Sequence, residues 1–93
     1  MTQANYIEFC DRYRAEGYTE FVEKAWAPDL QLELHQHPFH VKARVVSGEM
    51  WLTHSQQEWH LSAGDDFALE ANVSHTERYG AQGALVWIAR RHH

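Results

Sequence analysis

HQHPFH at residues 35–40 and GDDFALEANVSH at residues 64–75 are the stretches that decide the predicted fold. In a β-strand, side chains two positions apart point to the same face, so His35 and His37 can direct two imidazoles at one point. His75 can supply a third imidazole from a neighbouring strand. Three neutral imidazoles that meet in a pocket are typical ligands of a divalent transition metal. We therefore predict a metal site made of His35, His37 and His75.

Around these stretches the chain consists of short β-like runs separated by turn residues. Leu30 to His37 alternates apolar and polar side chains, and a hairpin is predicted for 39–54 with its turn at Ser47-Gly48-Glu49. Gly80 to Gly83 is predicted to form the last turn, before the β-rich run 84–90. Roughly seven or eight short strands with frequent turn signals predict an all-β fold, an antiparallel barrel or sandwich.

A short helix is predicted before the first strand, over residues 3–16. Tyr6, Phe9, Cys10 and Tyr13 follow helical spacing, and Gly17 is expected to end the helix in a left-handed conformation. Cys10 lies on the apolar face and is expected to be a buried hydrophobic residue rather than a nucleophile. The expected organisation is one domain over residues 1–93, with the barrel at about 19–91.

The composition limits the partners that this chain can have. The net charge of −5 argues against nucleic acid, and no stretch has the ~20 apolar residues of a membrane span. The one cysteine excludes an internal disulfide, and no secretion signal is recognisable, so a cytoplasmic protein is expected. Because 93 residues bury a modest share of their surface, a homodimer is expected.

The two stretches resemble the paired sequence motifs of the cupins. His35-x-His37 and Gly48 match the first motif, while Gly64, Glu70-x-Asn72 and His75 keep the spacing of the second. Residues 35–91 are therefore similar to a small single-domain cupin. The resemblance implies a jelly-roll barrel, the double-stranded β-helix, with a divalent metal such as Fe, Zn, Ni or Mn held by the three histidines. Because the family includes enzymes, binders and sensors, the resemblance implies little about function.

The sequence also departs from the cupin motifs. Val41 stands where the usual carboxylate or Gln ligand falls, Asn72 replaces a glycine, and Tyr79 replaces an asparagine. Either the site keeps three histidines and open positions, or it no longer holds metal.

Strand alternation offers a substitute for the missing ligand. Glu77 shares the inward face of His75 and is our candidate catalytic residue: a general base, a fourth ligand, or a carboxylate that orients an imidazole. The alternative is a surface glutamate paired with Arg44 or Arg78. His40 joins the site only if Pro38 introduces a bulge. Tyr79 either packs in the barrel or hydrogen-bonds a substrate.

The same alternation predicts an apolar cavity with one polar end. Its expected lining is Val41, Ala43, Val45, Met50, Leu52, Phe67 or Ala68, Val86 and Ile88.

Three functions remain open at this point. The first is a metal-dependent enzyme on a small molecule, either a dioxygenase or an isomerase-like enzyme that uses Glu77 as base. The second is a module that binds or senses a small ligand without catalysis. The third is a structural dimer whose histidines bind no metal.

Overall fold

The computed structural model describes residues 3–92, which form one helix followed by antiparallel β-structure. The elements are α1 (Gln3–Arg14), β1 (Glu20–Trp26), β2 (Gln31–His35), β3 (Phe39–His54), β4 (Gln57–Ser62), β5 (Asp66–Leu69) and β6 (His75–His92). The predicted all-β architecture with a short N-terminal helix is confirmed. Within residues 3–92, no helix is long and apolar enough to span a membrane.

Two long strands, β3 and β6, pair with each other along most of their length. The predicted hairpin turn at 47–49 is therefore wrong, as is the predicted turn at 80–83: at both places the strand bends and continues. The pairing register shifts between Val45 and Ser47 and again between Gly48 and Met50. Turn-forming residues here produce bulges rather than reversals, because both strands keep a partner on each side of the bend.

The bends divide the β-structure into two four-stranded layers. One layer contains, in order, β1, residues 84–92 of β6, residues 39–48 of β3, and β5. The other contains β2, residues 75–79 of β6, residues 50–54 of β3, and β4. Counting each long strand twice gives the eight strands of a jelly roll.

The main core fills the space between the two layers. Its buried members are Val41, Ala43, Val45, Met50, Leu52, Leu61, Leu69, Tyr79, Ala84 and Val86, with Phe67 and Ile88 partly buried against them. This confirms the predicted inward face and selects Phe67, since Ala68 is exposed.

Helix α1 covers the outer face of the first layer. A second cluster there contains Phe9, Cys10, Tyr13 and Trp87, and the Trp87 indole N–H donates to Glu23 Oε2 at 2.9 Å. Cys10 is buried, as predicted. The helix ends at Arg14, two residues before the predicted boundary, and Gly17 adopts the expected left-handed conformation with φ of 96°.

A bulge interrupts the regular pairing of β2 with β6 just before His35. Leu32 pairs with Glu77, and His35 pairs with His75, so the register shifts between them. A regular strand would place Leu32 and Leu34 on one face and His35 on the other. The bulge instead leaves Leu34 69% exposed.

Candidate metal centre

The three predicted histidines lie together at one end of the barrel. His35 is the last residue of β2, His37 follows in the connection to β3, and His75 is the first residue of β6. One ring nitrogen of each residue lies within 4.8 Å of those of the other two. The ring of His35 has its centre 4.2 Å from that of His75 and 5.1 Å from that of His37.

The backbone determines the tautomer of two of these rings. His35 Nδ1 lies 2.7 Å from the carbonyl oxygen of Glu33, and His75 Nδ1 lies 3.0 Å from that of Val73. Because a carbonyl oxygen only accepts hydrogen bonds, each neutral ring carries its proton on Nδ1 and donates it there. The lone pair is then left on Nε2, as a metal ligand requires.

His37 is held by different contacts. Its ring stacks on Phe39 with centres 5.0 Å apart, and its carbonyl oxygen accepts a hydrogen bond of 2.7 Å from the Asn72 N–H. Burial, followed by repulsion from His75 and His35, lowers the pKa of His37 below its usual value. The neutral form, which alone binds a metal, is therefore favoured.

Glu77 lies inside this group. Its Oε2 is 3.1 Å from His35 Nε2 and 3.4 Å from His75 Nε2, and its Oε1 accepts a 2.6 Å hydrogen bond from the Tyr79 hydroxyl. Burial acts to raise the pKa of Glu77, but the neighbouring His75 ring and the hydrogen bond from Tyr79 outweigh it, so the pKa is lowered. The pKa of Tyr79 is raised by burial and by the Glu77 charge. Glu77 is therefore ionised and Tyr79 remains a donor.

Glu77 is not a surface glutamate paired with an arginine, which was the alternative interpretation of the sequence. Its side chain is 11% exposed, whereas Arg44 pairs with Asp66 at 2.7 Å and Arg78 approaches Glu58 at 3.9 Å. Tyr79 is buried and stacks on Trp26, so it packs in the barrel while its hydroxyl orients Glu77.

The donor set fits a divalent transition metal. His75 Nε2 is fully buried and, among residues 3–92, has no hydrogen-bond partner, which is costly for a polar atom unless a ligand satisfies it. Three imidazole nitrogens with a carboxylate close by suit Fe, Zn, Ni or Mn. His35, His37 and His75 would hold the ion; that they bind metal stays a prediction.

A cavity of about 100 Å³ opens beside the histidines. Its lining consists of Lys24, Trp26, Leu32, His35, His37, Phe39, Val41, Phe67, Leu69, His75, Glu77, Ile88 and Arg90. Of the positions predicted to line the cavity, three do so, Val41, Phe67 and Ile88, and the others fill the core instead: Ala43, Val45, Met50, Leu52 and Val86. Lys24 and Arg90 were not predicted in this lining. For Arg90 a signal was present, because it is the next residue of the same parity after Val86 and Ile88.

Comparison with known proteins rests on structure. A scan of the sequence against protein-family models matches none of them, and a search among curated proteins finds no significant match. Among solved structures, an RmlC-like cupin from Shewanella frigidimarina is 22% identical, with a TM-score of 0.68 over 80% of this chain and 67% of that one. This chain has the fold of a small cupin domain.

Two larger structures contain a similar unit. AerE from Microcystis aeruginosa is 32% identical with a TM-score of 0.70, and the match covers 76% of this chain and 35% of AerE. A structure of DMSP lyases is 22% identical with a TM-score of 0.71, and the match covers 76% of this chain and 37% of that one. The matched part of this chain therefore spans little more than a third of either structure.

The departures from the cupin motifs have a structural explanation at Asn72 and a consequence at Val41. Asn72 has φ of 66°, a left-handed conformation that asparagine tolerates better than most residues, so it can replace the motif glycine. Val41 is buried and lines the cavity as an apolar residue. Glu77, from the other long strand, supplies a carboxylate that Val41 cannot.

The other histidines that the structure describes lie outside the cluster. His40 Nδ1 accepts a hydrogen bond of 3.1 Å from the Ala71 N–H and is not in the three-histidine group. His60 contacts Glu49 at 2.9 Å and stacks on Trp51 on the outer face of the second layer.

Proposed function

We propose that this protein is a metal-dependent enzyme that moves a proton on a small carbonyl-bearing molecule. The observation that supports this most is the position of Glu77 Oε2, at 3.1 and 3.4 Å from the Nε2 atoms of His35 and His75. A carboxylate at this point of a three-histidine cluster is placed to exchange protons with a substrate bound there.

The residues divide the chemistry between them. A divalent ion held by His35, His37 and His75 would act as a Lewis acid on a substrate oxygen. The cavity binds the substrate and limits the access of water. Glu77 takes up a proton from the substrate through Oε2, because Oε1 is engaged by the Tyr79 hydroxyl. It then returns the proton to another atom of the same molecule, which completes an isomerisation.

This assignment favours isomerase-like over dioxygenase chemistry. An ionised, oriented carboxylate is the group that proton transfer needs, and it contributes typically 10²–10⁴-fold to such reactions. The DMSP lyase structure supports the wider point that a domain of this fold occurs in enzymes.

The metal is tested first, on protein purified without immobilised-metal affinity. Elemental analysis is expected to give about one transition-metal ion per chain in the wild type and far less in His75→Ala. Equal metal content in His75→Ala and the wild type would contradict the site.

Catalysis is tested by exchange with deuterated water. Metal-loaded protein is incubated with a panel of small carbonyl compounds, and incorporation of deuterium next to the carbonyl is followed by NMR. Glu77→Gln is expected to keep the metal and lose at least ~10²-fold in exchange rate. Glu58→Gln is the matched control, because Glu58 lies on the outer face with a 55% exposed side chain.

Two results would overturn this assignment. If Glu77→Gln loses its metal, the carboxylate is a ligand rather than a base. If no compound exchanges but one raises the melting temperature, the protein is a ligand-binding module.

A further inference from the structure

Two basic side chains, those of Arg90 and Lys24, line the cavity beside the histidines. Arg90 follows Val86 and Ile88 on the inner face of β6, and Lys24 lies on β1 beside Val86. Apolar side chains, including those of Phe39 and Ile88, line the same cavity. A cavity with this lining fits a molecule that is polar at both ends and apolar in the middle.

Phe39 contacts both a histidine of the cluster and Arg90. The ring of His37 stacks on the ring of Phe39 at 5.0 Å, and the guanidinium carbon of Arg90 lies 5.1 Å from the centre of the same ring. Arg90 is therefore one aromatic ring away from the histidine cluster.

The guanidinium of Arg90 has unused capacity to donate hydrogen bonds. Its Nε is buried and has no hydrogen-bond partner among residues 3–92. Its ion pair is a distant one, 4.0 Å from Nη1 to Glu20 Oε2, and Glu20 also contacts His92 Nε2 at 3.0 Å. The side chain is 30% exposed, so a ligand can reach it. A partly desolvated guanidinium binds carboxylates well, through two parallel hydrogen bonds.

We propose that this cavity binds small carboxylates, with Arg90 holding the carboxylate, Lys24 adding charge at the rim, and the carbonyl end directed to the histidines. The inference rests on the proposed function, because it names the substrate class of the same site. The volume of about 100 Å³ lies below the roughly 300–1,000 Å³ of common ligand sites, which restricts the ligand to a few carbon atoms. Because the chain carries a net charge of −5, basic side chains in the cavity are needed to attract an anion.

The probe is 4-oxopentanoate, which has a carboxylate and a ketone joined by a short apolar linker. Its neutral counterpart is 4-oxopentanamide. Binding of both is measured by NMR titration on the full chain, with and without metal. We expect the wild type to bind the acid about tenfold more tightly than the amide, as a charge-assisted hydrogen bond predicts. Because Arg90 is not among the histidine ligands, this preference is expected without metal too.

Four variants locate the carboxylate. Arg90→Gln is expected to abolish the preference for the acid, and Arg90→Lys to keep part of it. Arg91→Gln is the matched control: it removes the same charge at the next position, where Arg91 lies over Tyr18 on the opposite face. Glu20→Gln removes the competing carboxylate and is expected to tighten binding of the acid. Circular dichroism checks that each variant is folded.

The outcomes separate this inference from the proposed function. A preference for the acid that survives in folded Arg90→Gln overturns the inference, as does equal binding of acid and amide by the wild type. A preference for the acid that appears only with metal and is unchanged in Arg90→Gln would mean that the carboxylate binds the ion. That result overturns the inference and leaves the metal site intact. An Arg90-dependent preference in a protein that binds no metal supports the inference while the proposed function fails.

Discussion

The hydrogen bond from Tyr79 to Glu77 connects the core of the barrel to the candidate site. Tyr79 is 2% exposed and packs on Trp26, so the position of its hydroxyl is set by packing. We expect Tyr79→Phe to lower the free energy of unfolding by about 1–3 kcal/mol, because it leaves a buried carboxylate with one donor fewer. Urea unfolding monitored by tryptophan fluorescence measures this change.

A double-mutant cycle isolates this pair from other effects of the substitution. Tyr79→Phe, Glu77→Gln and the double variant are expected to give a coupling energy of about 1 kcal/mol or more. Additive changes would show that the hydroxyl does not act through Glu77. Tyr13, whose hydroxyl donates to Asp66 at 3.2 Å on the helix side, offers a second pair for comparison.

At the scale of the element, the bend of β6 depends on Gly83. Its φ is 69°, and a Cβ atom added here would overlap the carbonyl oxygen of Trp26. Gly83→Ala is expected to destabilise the fold by more than about 2 kcal/mol, because it combines backbone strain with a collision against backbone that cannot move alone. Thermal unfolding measures the effect.

Gly64 is the matched control for this prediction. It has φ of 96°, but an added Cβ would meet nothing within 4 Å, so Gly64→Ala adds strain without a collision. We expect it to cost about 1 kcal/mol. Equal losses in the two variants would mean that the close approach of β6 to the β1–β2 connection contributes little.

For the whole molecule, a bound metal connects segments that are distant in the sequence. His35 ends β2 and His75 begins β6, so an ion that binds the folded site and not the unfolded chain stabilises the complete barrel. At a free metal concentration 100 times the dissociation constant, the gain is about 2.7 kcal/mol. We expect Zn²⁺ to raise the melting temperature of the wild type and EDTA to reverse this.

His60 provides the control for this stabilisation. It lies on the outer face beside Glu49, away from the three-histidine cluster. His60→Ala is expected to keep the full metal-dependent rise in melting temperature, and His75→Ala to lose it. A rise of the same size in both variants would indicate metal binding elsewhere on the surface.

Much of this protein was predictable from local pattern alone. Spacing predicted that His35, His37 and His75 would meet, and period-two alternation predicted the buried positions of β3 and β6. Glu77 followed from the same alternation, because inward positions on one strand are related by simple parity. Gly17 ended the helix as predicted, since a residue without a Cβ tolerates the left-handed conformation.

The tertiary structure decided what local pattern leaves open. Gly48 and Gly83 resemble turn residues in sequence, but pairing on both sides carries β3 and β6 through their bends as continuous strands. The bulge in β2 and the contact between Arg90 and Phe39 depend on partners far along the chain. Sequence determines which way each side chain faces within its own strand; which strands lie opposite each other, and so which charges share the cavity, is decided by packing of the whole barrel.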